Sequence, residues 1–189
     1  MRRRSCRTLG PLSTSESALI VVVPEAEALV SDLRLRYDEP ARLGVPAHVT
    51  LLFPFMAPSE LSPAVVATLA GLFASIQGFA FRLGSIGRFA ATSYLAPSPA
   101  EPFIELTQAI WRAFPAFPPF GGEFASIVPH LTVAHGNPGE AEVASEESAS
   151  RLARHGPVSS NCHSVSLFER SSGRWKHAHE FELAPAPAT

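Results

Sequence analysis

Lysine is almost missing from this chain. Lys176 stands alone against 14 arginines, and aspartate is nearly as rare, with Asp32 and Asp38 against 15 glutamates. Cysteine occurs only at Cys6 and Cys162, which excludes a disulfide framework and a four-cysteine zinc site. No membrane-length apolar run exists. The longest, such as Ala18 to Val23, falls far short of the ~20 residues that a span requires. Glycine (12) and proline (18) are too scattered for a low-complexity or collagen-like chain.

A surplus of positive charge is missing as well. The net charge is −2, and Arg2, Arg3, Arg4 and Arg7 are included in it, so the chain beyond residue 15 carries −6. So acidic a body does not wrap a nucleic acid backbone, which needs many lysine and arginine contacts to phosphate. A small pocket for one phosphate remains open to it.

What is present is a globular composition of 189 residues, 46% apolar and 17% charged, sized for one domain or for two small lobes sharing a core. Residues 1–17 have a basic opening, but Gly10, Pro11 and five Ser/Thr between Ser5 and Ser15 interrupt it and no apolar signal region follows. The expectation is a flexible tail (1–17), a folded unit (18–183) and a Pro/Ala tail (184–189) in a cytoplasmic protein with no membrane partner.

Hydrophobic spacing then places the elements. Ala18 to Pro24 reads as a buried strand, and Glu25 to Tyr37 as a helix with Ala26, Leu29, Val30, Leu33 and Tyr37 in phase. Glu39 to Pro46 reads as a loop and His48 to Phe55 as a second strand. Ser62 caps a helix that runs to Ile76, with Pro63 at its first position. Phe79 to Phe89 and Ser93 to Ala96 read as strands, Pro102 to Phe114 as a helix, and Pro115 to Gly122 as a loop. Ile127 to Ala134 reads as a strand and Pro138 to His155 as an acidic helix. Ser164 to Arg170 and Trp175 to Leu183 form the arms of a hairpin. Interleaved helices and hairpins predict an α+β fold.

One pattern occurs twice. Pro46-Ala-His48-Val-Thr50-Leu51 and, 82 residues on from the first histidine, Pro129-His130-Leu-Thr132-Val133 each place a histidine and a threonine two apart in a strand. Strand side chains alternate faces, so His48 and Thr50 share one face while Val49 and Leu51 take the other. The same holds for His130 and Thr132 against Leu131 and Val133. Two such strands on one cleft offer two imidazoles and two hydroxyls to a single phosphorus. Phosphodiester cleavage needs a base, an acid and donors for the non-bridging oxygens; histidine serves either proton role near neutral pH, and threonine donates. No carboxylate cluster accompanies the motif, so neither a metal nor another cofactor is expected.

This pair resembles the two signature motifs of the 2H phosphoesterase superfamily, and within it the bacterial 2′-5′ RNA ligase and RNA 2′,3′-cyclic phosphodiesterase family. The likeness spans roughly residues 18–183, with Tyr94-Leu95-Ala96-Pro97, Phe168-x-Arg170 and Gly173-Arg174-Trp175 as supporting segments. The resemblance implies two pseudo-symmetric lobes, each an antiparallel sheet with helices outside, and an active-site cleft between them. It implies a monomer acting without metal on 2′,3′-cyclic phosphate ends of RNA or nucleotides, with 2′-5′ ligation as the reverse reaction. His130 would activate water, His48 would protonate the departing ribose oxygen, and Thr50 and Thr132 would hold the phosphate. The alternative is a module that binds nucleotides or RNA ends with little or no turnover.

Four further residues are candidates for substrate contact. Trp175 could stack on a base, and Phe89 and Tyr94 flank a turn where they could line the cleft. Arg170 could bind phosphate, or pair with Glu169 or Glu182. The spacing of Trp111 is that of a helix core residue. His177-x-His179, with Cys162-His163 as the only further ligands to nominate, reads as a solvated hairpin rather than a metal pair.

Overall fold

A computed structural model describes residues 16–123 and 126–185 of the chain. The strands are β1 (Glu16–Val22), β2 (His48–Leu52), β3 (Phe79–Phe89), β4 (Thr92–Ser98), β5 (Leu131–His135), β6 (Val158–Cys162), β7 (Ser164–Arg170) and β8 (Lys176–Glu182). The helices are α1 (Glu27–Tyr37), α2 (Glu39–Arg42), α3 (Pro63–Ala74), α4 (Glu101–Ala113) and α5 (Pro138–His155). The strands form two four-stranded antiparallel sheets, in the orders β2-β1-β7-β8 and β5-β4-β3-β6. The fold is α+β, as the interleaved spacing predicts.

The two sheets correspond strand for strand. In each, the strand that carries a His-x-Thr pair lies at one edge, next to the strand that precedes it in the chain. The helix between those two strands crosses over. After β1, α1 packs on β5 of the other sheet, and after β4, α4 packs on β2. Then α3 covers β8 while α5 covers β3, β4 and β5. This exchange brings β2 and β5, the two motif strands, against each other.

Alternation builds the core. In β1 and β2 the inward side chains Leu19, Val21, Val49 and Leu51 are fully buried, and Val165 and Leu167 of β7 continue that face. A single apolar cluster runs through both sheets. Phe103 of α4 joins them: it is fully buried and meets Phe79 and Phe81 of β3 edge-on, each at 5.0 Å between ring centroids. Helix α5 is fastened to α1 by Arg151, which reaches both Asp32 oxygens at 2.6 and 2.8 Å and the Leu29 carbonyl at 2.7 Å.

Several boundaries differ from the sequence expectation. β1 starts at Glu16, because Ser17 donates to the Met56 carbonyl at 2.6 Å and Glu16 pairs with Arg170. At the other end Ala184 still bridges to Gln77. The remainder of both expected tails, 1–15 and 186–189, lies outside the described residues. β6 is an element that the hydrophobic spacing does not show: Val-Ser-Ser-Asn-Cys is too polar to read as a strand, and it pairs only with β3 at the sheet edge. Glu39–Arg42, expected as loop, forms the short helix α2 with Pro40 in its first turn. β5 starts at Leu131, one residue after His130, since Pro129 has no N–H to give a ladder. Trp111, expected in the core, is 43% exposed on the outer face of α4. Cys162 is buried and free, and burial pushes its thiol up to about 12.

Phe103→Ala should cost about 3–5 kcal/mol, the range for emptying a buried aromatic site. Urea denaturation measures it, and a loss under ~1 kcal/mol would show that Phe103 does not join the two sheets.

Candidate active site

His48 and Thr50 are half-buried while Val49 and Leu51 are buried, and His130 and Thr132 alternate with Leu131 and Val133 in the same way. Both pairs therefore face away from the core, on strands that contact each other. The two imidazoles are within electrostatic reach, since the charge on His130 bears on His48.

The rings are held identically. Nδ1 of His48 lies 2.7 Å from the Pro46 carbonyl, and Nδ1 of His130 lies 2.6 Å from the Val128 carbonyl, each two residues back. A carbonyl only accepts, so Nδ1 must carry the proton in both rings. Nε2 is then the nitrogen left for chemistry: a base when bare, an acid when protonated.

The surroundings of the two rings differ. The chain leading into His48 is gripped from α1. Glu27 accepts from the Ala47 N–H at 2.6 Å, and Arg34 donates from Nη1 to the Val45 carbonyl at 3.3 Å and from Nη2 to Asp38 at 2.9 Å. Arg34 is 1% exposed and its Nε finds no partner among the described residues. Burial pushes the Asp38 carboxyl up, against the pull of Arg34 that lowers it. Around His130 the walls are aromatic. Tyr94 lies at 5.1 Å, Phe89 at 5.5 Å and Phe120 at 6.5 Å between centroids, the last stacked at 18°. Tyr94 takes that place by lying across Gly87 of β3, where a Cβ would come within 2.2 Å of its ring, so only glycine fits there. Phe120 adopts a left-handed φ of 51° and is held by its N–H to the Phe53 carbonyl at 2.8 Å.

Of the residues expected to contact substrate, Phe89 and Tyr94 join His130. Arg170 and Trp175 form a separate cluster. The Arg170 guanidinium sits 5.6 Å over the Trp175 ring and pairs at 2.7 Å with Glu16, not with Glu169 or Glu182. In register it opposes Glu16, about 20 Å along β1 from Val22, the partner of His48. Phe53 links this cluster to the cleft, with its ring 6.0 Å from Trp175 and its carbonyl on Phe120. Glu27, Arg34, Phe53 and Phe120 were not singled out from sequence. Arg34 had a signal, because it falls within the apolar stripe of α1; Phe120 had none in a Pro/Gly-rich loop.

Beyond Pro46 and Val22 opens a groove of about 480 Å³ whose polar wall is Glu180, which accepts from Ser164, from Ser166 at 2.9 Å and from His177 at 2.8 Å. Burial raises the Glu180 carboxyl, but these three bonds together hold it below its ordinary value. The groove therefore suits a hydrogen-bond donor and repels a second phosphate. His177 is committed to Glu180, and among the described residues no three His, Cys, Asp or Glu side chains are gathered as a metal would need. None of the described helices is long and apolar enough to cross a membrane.

Burial lowers His48 to about 3, aided by the charges of Arg34 and His130 and opposed by the bond to Pro46. Burial also lowers His130, with His135 adding to it and the Val128 bond opposing. Both rings are neutral at neutral pH. An unfolded imidazole takes its proton near ~6.5, so stability is complete above that value and drains as pH falls from there toward 3. His48→Asn removes part of this slope. Urea denaturation at pH 7 and pH 5 should show a smaller loss in the variant than in the parent, and equal losses would refute the buried neutral state.

Comparison with known proteins agrees with this geometry. A sequence profile of the 2′-5′ RNA ligase superfamily matches residues 22–174. A protein of Bacillus cytotoxicus with a provisional phosphoesterase name is 33% identical over 117 residues, 61% of this chain and 67% of that one. A Bacillus cereus protein of like name is 32% identical over 119 residues, 62% and 68% of the respective chains. In structure, the chain is similar to Escherichia coli LigT complexed with ATP (TM-score 0.58, 16% identity) and to TT0787 of Thermus thermophilus (TM-score 0.58, 20% identity). Each likeness covers 90% of this chain and 98% of the other, and at such identities it speaks for the fold alone. With its two His-x-Thr strands set edge to edge, the chain belongs to the 2′-5′ RNA ligase superfamily, within the 2H phosphoesterases.

Proposed function

We propose that the protein is a metal-independent phosphodiesterase that opens 2′,3′-cyclic phosphates at RNA ends or on nucleotides. The observation that carries this reading is the doubled arrangement: two imidazoles, each with Nδ1 tied to a carbonyl and Nε2 free, on touching strands with a threonine beside each. That LigT is complexed with ATP and with 3′-AMP supports a nucleotide as occupant. One chain supplies the whole constellation, which fits a monomer working in the cytoplasm.

The reaction follows from the groups present. Nε2 of His130 takes a proton from water as the water oxygen bonds to phosphorus. The P–O bond to the ribose 3′-oxygen breaks, and Nε2–H of His48 protonates that oxygen, leaving a 2′-phosphate. Thr50 and Thr132 donate to the non-bridging oxygens, whose charge they stabilise. His48 must gain its proton in the presence of substrate, since the empty cleft keeps it neutral. The phosphate anion favours that uptake, and the nearby Arg34 makes the resulting imidazolium a ready donor. A 2′-5′ linkage forms by the same step when a 5′-hydroxyl takes the place of water, His130 taking its proton and His48 protonating the departing 3′-oxygen; the step run backwards cleaves that linkage. Phe89, Tyr94 and Phe120 offer aromatic faces to a base on the His130 side. Arg170 and Trp175 lie outside this core constellation and would bear on a longer substrate.

His48→Ala and His130→Ala should each lower kcat on a 2′,3′-cyclic mononucleotide by about 10²–10⁴-fold, the usual worth of a proton-transfer group, with folding retained. Chelators should leave the rate unchanged, and phosphorus NMR should identify a 2′-phosphate. Full activity in either variant would overturn the reading.

A further inference from the structure

We propose that Glu27 and Arg34 of α1 are positioning residues for His48, clamping the Val45–Ala47 segment so that the Pro46 carbonyl is fixed under the imidazole. This rests on the reading that His48 transfers a proton to or from a phosphate ester.

The clamp has a specific geometry. Pro46 lacks an N–H and cannot anchor itself through a donor. Its neighbours are anchored instead. The Ala47 N–H donates to Glu27 Oε1 at 2.6 Å, and the Val45 carbonyl accepts from Arg34 Nη1 at 3.3 Å. Glu27 and Arg34 are two helical turns apart and lie on one face of α1, so a rigid rod spans the segment at two points. Between those points the Pro46 carbonyl meets His48 Nδ1 at 2.7 Å. The far side is closed by the β7–β8 hairpin, where the Trp175 N–H donates to the Leu43 carbonyl at 3.0 Å.

Arg34 is costly to keep, which argues against incidental packing. Arg34 is an almost fully buried guanidinium with its Nε unpartnered. Its ion partner Asp38 is buried too; Arg34 bridges it to the Val45 carbonyl, and the Ala41 backbone also donates to Asp38. The second motif has no counterpart: no charged group on α4 is seen to grip the residues before His130 among those described, and Val128 is 40% exposed. One imidazole is thus set in a charged vice and the other in an aromatic box.

The charged and titratable groups around His48 are Glu27, Arg34 and Asp38 from α1 and its end, His130 ahead of β5, and His135 of β5, whose charge also bears on Asp38. Arg174 of the hairpin tip approaches Gly44 from the opposite side. Burial first, and the fixed charge of Arg34 after it, hold the proton off His48.

The experiment compares Glu27→Ala, Glu27→Gln and the neutral double variant Arg34→Met/Asp38→Asn with the parent. Readouts are kcat and KM on a 2′,3′-cyclic mononucleotide, the pH–rate profile, urea stability, and the His48 Nδ1–H signal in ¹⁵N-resolved NMR. Glu27→Ala should lower kcat by about 10–100-fold with little change in KM, as loss of an orienting partner does. Glu27→Gln, which still offers an oxygen to Ala47, should restore most of it. The double variant should move the alkaline limb of the kcat profile, which reports the proton on the acid His48, to higher pH. The exchange-protected Nδ1–H signal should vanish in Glu27→Ala and persist in Glu27→Gln. A folded Glu27→Ala with parental kcat, a Gln variant no better than Ala, or an unmoved alkaline limb would overturn the proposal. If the parent opens no cyclic phosphate, the function reading fails, and the Nδ1–H signal alone decides whether the clamp positions His48.

Discussion

Everything in the cleft depends on a bond made twice: an imidazole Nδ1–H to the carbonyl two residues before it. That bond fixes the tautomer, fixes the ring plane and leaves Nε2 without a hydrogen-bond partner among the described residues on each side. It is cheap in sequence, needing only a histidine at the start of a strand and a backbone that turns just ahead of it. The proline at or next to the carbonyl-bearing residue shapes that turn. Fold and chemistry meet here, because the same edge strands that present the rings are the ones that the crossed helices press together.

The near-symmetry of the backbone carries an asymmetric set of side chains. Thr50 pairs in register with Ile20, whereas Thr132 pairs with Tyr94, whose ring reaches His130. Glycine at position 87 gives that ring its room. On the His48 side the neighbours are Glu27, Arg34 and a groove walled by Glu180. One half of the cleft suits planar, apolar matter, and the other suits hydrogen-bond donors while rejecting a further phosphate. A site with these halves fits a substrate carrying one phosphate better than a continuous strand, which agrees with the acidic body of the chain.

The sequence made the doubled motif legible. Two His-x-Thr units in strand context were enough to place both motifs on exposed faces, and helix spacing located α1, α3, α4 and α5 closely. What could not be read depends on contacts between distant segments. β6 is a strand only because β3 offers it an edge, and Trp111 follows core spacing on a helix whose opposite face met the sheet. Arg170 was open to a glutamate partner, but β1 running beside β7 decided it was Glu16. Arg34 was the one clue left unread: a charge inside an apolar stripe announces a buried partner, and Asp38 one turn later supplies it. The left-handed Phe120 could not have been read, since nothing local requires it.

The central claim is that two distant imidazoles share one anion. It is tested most directly by following the ring nitrogens of His48 and His130 by ¹⁵N NMR across pH, with and without a nucleoside 2′-phosphate. The account predicts that without the phosphate both rings titrate below the ordinary imidazole range, and that both titrate at higher pH once it is bound. A ligand that shifts only one of them, or neither, would contradict it.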